Sequence, residues 1–337
     1  MLCTRDDFIF VLHVLPVPGT ERAQIQFTQF KNTTRAPLLI SADFKSILEP
    51  LRKHVQRTTL AQHHKVCAAA AILCSTMPDF NQRTIMKFGP KALSDFLDEL
   101  NKWEREIIAV LIRNKKMKYL NMRQQAKFDN ATRCYICRHE FTKHELKGAK
   151  VRDYDHITGD FLGAAHRQCN LERAVSFQIT VFFHIFRGYD THLIVHEFGK
   201  RSDREIKVIG QNMEKYLQVK WGKNMVFRDS LQFFPASLEQ LVASLAKTGR
   251  EKFINLHKVV AYMCPNSDVT LLERKVVFCY YYSDSFERLE EPELPYREAF
   301  FNQLSGEECS ESDYAHAKHF WTEFNCNTLN DYMSFTC

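Results

Sequence analysis

The sharpest chemistry in the sequence lies in paired sulfur and imidazole donors. Cys134 and Cys137 are separated by two residues, and after a gap of 28 residues His166 and Cys169 repeat the same spacer. Zinc takes four soft or borderline ligands at tetrahedral corners, and a two-residue spacer lets one tight turn present two of them. These four residues are the expected ligands of one structural zinc ion. His139 and His144 lie close by, but neither has a partner at that spacing. Inside the same loop stand Asp153 and His156, and just past the last ligand comes Asn170. A carboxylate and an amide oxygen can hold one Mg²⁺ on a scissile phosphate while an imidazole takes a proton from the attacking water. The plainer alternative is that Asp153 and His156 only hydrogen-bond the zinc module together.

The charge distribution supplies a third set. The 337 residues carry a formal net charge of +6. Residues 101–133 hold nine basic and three acidic residues, and from Arg113 to Lys127 there are six basic residues and no acid: Arg113, Lys115, Lys116, Lys118, Arg123 and Lys127. Residues 285–313 hold nine acids against two bases. An acid-free basic tract in a nearly balanced chain fits an anionic partner such as nucleic acid, against the plainer reading of a solvated helix face. Eleven cysteines are an odd number, and no secretory signal is evident. That argues against a disulfide framework and for a reducing, intracellular compartment. The longest apolar run, Val66 to Cys74, is nine residues, too short for a bilayer span, so no membrane partner is expected.

These residues need elements to position them. Residues 1–35 read as an irregular N-terminal segment. Leu38 to Phe44 reads as a short buried strand carrying Asp43, and 67–87 as a strand with loops. From Ala92 the residues Leu93, Phe96, Leu97, Leu100, Trp103, Ile107 and Leu111 keep helical spacing for about five turns. Residues 131–173 differ in texture, with Cys, His, Asp and Gly at short spacing. Val181 to Phe186 reads as a dense strand, 187–190 as a turn, Thr191 to Phe198 as a helix and Val226 to Asp229 as a strand. Ser237 with Gln240 reads as a capping box for a helix ended by Thr248-Gly249. Phe278 to Tyr282 reads as an aromatic strand with Asp284-Ser285 at its end, and Asp313 to Phe324 as a last helix. His63-His64 and the His316/His319 pair read as surface or packing residues. The alternation predicts an α/β layered fold with 131–173 as a small insertion.

The stretch from Val151 to Asn170 resembles the endonuclease VII group of HNH nucleases, ββα-metal enzymes, although Tyr154 stands where that group has histidine. On a larger scale the succession resembles the N-terminal half of protein-primed family B DNA polymerases of the Polinton/Maverick transposon and related viral and plasmid type. The segments carrying that likeness are Leu38-Leu39-Ile40-Ser41-Ala42-Asp43-Phe44, the zinc module, Ile179 to Ile194 with His184-Ile185-Phe186-Arg187-Gly188-Tyr189-Asp190, and Val226 to Phe233.

The resemblance implies a ribonuclease-H-like 3′–5′ exonuclease domain in two segments, 36–130 and 174–337, with the zinc-bound HNH-like module at 131–173 inserted between them. Two-metal hydrolysis needs several carboxylates. Asp43 and Asp190 match that site, but Lys45 stands where the family has glutamate and Ile185 where it has asparagine. The third exonuclease carboxylate is expected after Tyr332 and does not occur within these 337 residues, nor does the polymerase palm motif. The expected function is a DNA-binding fragment of a replicative polymerase with a degenerate exonuclease, located in the nucleus before the cytoplasm in a eukaryotic host. The rivals are an Mg²⁺-dependent HNH nuclease acting through Asp153, His156 and Asn170, and a captured zinc-bearing scaffold without catalysis.

Overall fold

The computed structural model describes residues 2–5, 8–11, 36–55, 58–77, 80, 83–113, 115–141, 148–173, 178–201, 203–212, 214–265 and 267–336. The chain folds as two compact units, one formed by 1–35 and 113–176, the other by 36–112 and 177–337. Within the segment expected to be irregular, β1 (Leu2–Arg5) and β2 (Phe8–Val11) pair as an antiparallel hairpin. The remainder of 1–35, and His144, lie outside the described residues.

The larger unit is α/β. Strands β3 (Leu38–Val55), β4 (Thr58–Ser75) and β5 (Arg83–Phe88) form an antiparallel meander. The expected short strand at Leu38 is thus 18 residues long. Helix α1 (Ala92–Leu111) follows and packs on β4 and β5. Its buried stripe, Phe96, Leu97, Leu100, Trp103, Ile107 and Leu111, is the one its spacing predicts, save that Leu93 at its start is only half-buried. Buried Ala69 and Ala71 of β4, which share the face of Phe44, carry no bulk and leave room for that stripe. Phe44 meets the Phe96 ring edge-on at 5.4 Å between centroids.

The chain then leaves for the smaller unit. There α2 (Met122–Asp129) precedes an antiparallel pair, β6 (Lys150–Tyr154) and β7 (Phe161–His166), which runs directly into α3 (Arg167–Arg173). The second stretch of the smaller unit begins at Arg113.

Back in the larger unit, β8 (Ile179–Phe183) pairs parallel with β3 and leads through a tight turn to α4 (Asp190–Gly199). A hairpin of β9 (Ile206–Gly210) and β10 (Tyr216–Trp221) precedes β11 (Met225–Asp229), which lies parallel to β8. The result is one mixed seven-stranded sheet in the order β5-β4-β3-β8-β11-β10-β9. Phe183, Phe186, Phe198, Trp221 and Phe227 interlock beside it, with Phe198 stacked on Trp221 at 4.7 Å.

Helix α5 (Leu238–Thr248) carries the expected Ser237–Gln240 capping box. Next come α6 (Ile254–Met263), α7 (Phe286–Leu289), α8 (Glu311–Glu323) and α9 (Leu329–Ser334). Phe278 to Tyr282 is not a strand. The chain turns on itself there, the Tyr282 and Ser283 N–H groups donating to the Cys279 carbonyl, because its side chains are drawn into a cluster with Phe320, Phe324 and Tyr332. Ser285 does not end a strand but caps α7, accepting from the Arg288 N–H.

Candidate functional site

The β6–β7 hairpin and α3 deliver the second half of the zinc set, and a turn after the isolated bridge residue Arg133 delivers the first. The donor atoms of Cys134, Cys137, His166 and Cys169 all lie within 4.8 Å of one another. His166 Nδ1 is 3.2 Å from Cys137 Sγ and 3.8 Å from Cys169 Sγ. Its Nε2 donates to the Glu140 carbonyl at 2.9 Å, which leaves Nδ1 as the unprotonated nitrogen on the sulfur side. Backbone bonds shape the first knuckle: the Arg138 N–H donates to the Cys134 carbonyl, and the Cys134 N–H to the His139 carbonyl. Burial works against ionisation of Cys134, but the backbone N–H groups of Cys137, His166 and Ile136 outweigh it and hold the thiol below its ordinary value. Burial, then its Cys137 and Cys134 neighbours, push the Cys169 thiol up to about 12. Thiols this close resist joint ionisation until a cation joins them. The donor set and the His166 tautomer fit a metal ion such as zinc.

The other residues of the smaller unit are held locally. Asp153, near the end of β6, is 2% exposed, and its Oδ2 accepts the Tyr135 hydroxyl at 2.5 Å. Tyr135 follows the candidate ligand Cys134 directly, so this bond ties the strand to the first knuckle. Its side chain lies against Gly163 of β7, where an added Cβ would stand 2.7 Å from Cδ1. The His156 ring lies 4.4 Å from that of Tyr154. Asn170 sits half-buried on α3.

Sequence reasoning missed Tyr135, Gly163 and Lys150. The Lys150 ammonium donates to the Phe128, Asp129 and Ala131 carbonyls and so closes the C-terminal end of α2. A basic residue about twenty positions downstream leaves no local signal for such a cap.

The basic tract is split between an extended segment, 115–121, and α2, whose N-terminus is closed by an Asn121–Gln124 capping box. Arg113, Lys115, Lys116, Lys118, Arg123 and Lys127 are all exposed. The Lys115 N–H donates to the His156 carbonyl and the Lys118 N–H to the Gly159 carbonyl, both at 2.8 Å. The Lys118 ammonium pairs with Asp160 at 2.7 Å. Lys115, Lys116, Arg123 and Lys127 enter no ion pair among the described residues.

The carboxylates of the larger unit gather where β3, β8 and β11 meet. Asp43 and Lys45 are two residues apart on β3 and so share a face. The Lys45 ammonium, its side chain only 12% exposed, donates to Asp43 Oδ2 at 2.5 Å. Asp190, at the start of α4, is 3% exposed. Burial and the Asp43 carboxylate push it up to about 8, with Asp229 adding to the rise against the pull of Lys45. Asp229, which sequence reasoning passed over, is fully buried at the end of β11. It accepts from the Ile185, Arg187 and Leu231 N–H groups and from Arg187 Nε. It thereby holds the β8–α4 turn in which Ile185 adopts a left-handed φ of 71°.

Among the described residues no helix is long and apolar enough to cross a membrane. Comparison with protein-family models, with curated proteins and with solved structures found no match to this chain.

Proposed function

We propose that this chain binds DNA through its zinc module, and that it is related to the N-terminal exonuclease half of protein-primed, transposon-type family B DNA polymerases without proofreading activity of its own. The observation that carries the DNA reading is the acid-free basic segment hydrogen-bonded to the turn that bears His156. Cations held on a tethered backbone meet phosphates with less ordering cost than cations on a loose loop. The kinship is supported by the order of the larger unit. Three antiparallel strands come first, two more join parallel on the far side of the first, Asp43 lies on that first strand and Asp190 follows the fourth. A ribonuclease-H-like exonuclease would have this arrangement.

The loss of proofreading rests on Lys45. The ammonium occupies the face on which a metal-dependent exonuclease presents a second carboxylate, and it already engages Asp43. Zinc, held by Cys134, Cys137, His166 and Cys169, would supply structural cross-linking of the module, not chemistry.

A second reading, Mg²⁺-dependent strand cleavage at Asp153, His156 and Asn170, is favoured by the hairpin-then-helix order β6–β7–α3. It is weakened by the Tyr135 hydroxyl on Asp153 and by Tyr154 in place of histidine. Charge reversal of Lys115, Lys116, Arg123 and Lys127 tests the first reading: DNA affinity should collapse while zinc content and folding stay intact. Plasmid nicking that requires Mg²⁺ and disappears in His156→Ala would favour the second.

A further inference from the structure

Tyr119 stands fully exposed in the extended segment 115–121, and Met122, three residues on, is 91% exposed. Lys115, Lys116 and Lys118 precede the ring and Arg123 follows it, all exposed. The segment is not loose. Its two backbone bonds to the His156 and Gly159 carbonyls run it alongside the 155–160 turn in the same direction. Gly159 allows this approach: it adopts φ +80°, and an added Cβ would stand 2.7 Å from the Lys116 carbonyl oxygen. At the other end the Asn121–Gln124 capping box fixes the chain onto α2.

A lone exposed tyrosine is ordinary. An aromatic ring on a tethered backbone, with cations before and after it, matches how unpaired nucleic acid is held, phosphates on the cations and a base on the ring. In continuous duplex the base faces are covered by their neighbours, and the ring has nothing to stack on. We infer that the 115–123 strap binds unpaired DNA, with Tyr119 stacked on a base and Lys115, Lys116 and Arg123 on the flanking phosphates. This rests on the DNA-binding reading above and adds its substrate class: single-stranded or locally opened DNA in preference to continuous duplex.

The test is fluorescence anisotropy with a short labelled oligodeoxynucleotide and with its duplex, at one salt concentration, on the full chain loaded with zinc. Wild type should bind the single strand more tightly. Tyr119→Ala should weaken single-strand binding by about 10- to 100-fold, the loss expected for one stacking aromatic, and leave duplex binding unchanged. Because Tyr119 is exposed, the substitution spares the fold. Tyr119→Trp should keep the affinity and show indole quenching on binding beyond that of the three native tryptophans. Unchanged single-strand affinity in Tyr119→Ala, equal losses on both forms, or no strand preference in wild type would overturn the inference and leave the DNA reading standing. Absence of any DNA binding would overturn both.

Discussion

The Lys45 ammonium rests on the Asp43 carboxylate at 2.5 Å, and the consequences can be put in numbers. At about 4 Å a unit charge repels another by about 1–4 kcal/mol for effective dielectrics of about 80 to 20, and a divalent ion by about twice that. A metal ion entering beside Asp43 and Asp190 would meet that repulsion and compete for the same carboxylate. The chain is therefore expected to leave a labelled single strand undigested with Mg²⁺ or Mn²⁺ on a sequencing gel, and a product ladder that vanishes in Asp43→Ala would contradict this.

The same pocket predicts a pH dependence. Asp190 is raised in the fold to about 8 by burial and by Asp43, from about 4 in the unfolded chain. The stability gained by keeping it protonated is thus complete below about pH 4 and is lost as pH rises towards and through 8. Asp190→Asn, which stays neutral, should flatten that decline and raise the urea midpoint at pH 8.5 but not at pH 4. The gain should be of order a few kcal/mol, since each tenfold in the ionisation constant is about 1.4 kcal/mol. An Asn variant equal to or weaker than wild type at pH 8.5 would refute the burial argument. Asp43, Lys45 and Asp190 were legible in the sequence because each stands in a run resembling a known order. Asp229 was not, because its role depends on four donors that come together only in the folded turn.

At the scale of elements, the β8–α4 turn shows a local conflict. Ile185 adopts a left-handed conformation with φ 71° while its side chain is 53% exposed. A β-branched residue there costs about 1–2 kcal/mol relative to the right-handed region and recovers little from burial. Asparagine tolerates this region better. Ile185→Asn is expected to stabilise the larger unit by about 1 kcal/mol, read as a rise in the urea midpoint, and a fall would mean that the exposed side chain matters more than the backbone. Helix α1 was legible down to its buried positions because a long amphipathic stripe repeats its message over five turns. Phe278 to Tyr282 misled for the opposite reason. Aromatic density signals a strand only when a sheet edge is there to receive it, and here the rings pack into the α8–α9 cluster instead. The β9–β10 hairpin was invisible because its outer strand is mostly exposed and carries no strict alternation.

At the scale of the molecule, the two units are built on different capital in their interiors. The larger has a continuous aromatic and aliphatic core on a seven-stranded sheet. In the smaller, the only fully buried apolar residues among those described are Cys134, Ala164 and Ala165. Where so little apolar area is buried among the described residues, a metal cross-link is the usual remedy for a small core. Purified protein is expected to hold about one zinc per chain. Chelation, or Cys169→Ser, should unfold the smaller unit and leave the melting of the larger one nearly unchanged. Full ellipticity and unaltered melting of both units in metal-free protein would refute the zinc assignment. The paired spacing made this site the most legible feature of the sequence, whereas its supports, Tyr135 beneath Asp153 and Gly163 against the Tyr135 side chain, emerge only from the fold.

The central claim is that the tethered cations of the zinc module bind DNA. Its most direct measurement is the dependence of duplex affinity on salt, made on zinc-loaded and zinc-stripped protein. If Lys115, Lys116, Arg123 and Lys127 each meet a phosphate, the logarithm of the association constant should fall against the logarithm of salt with a slope of about −3.6, about −0.9 per contact. Removing zinc should weaken binding and flatten that slope. Affinity that is indifferent to salt, or identical with and without zinc, would contradict the account.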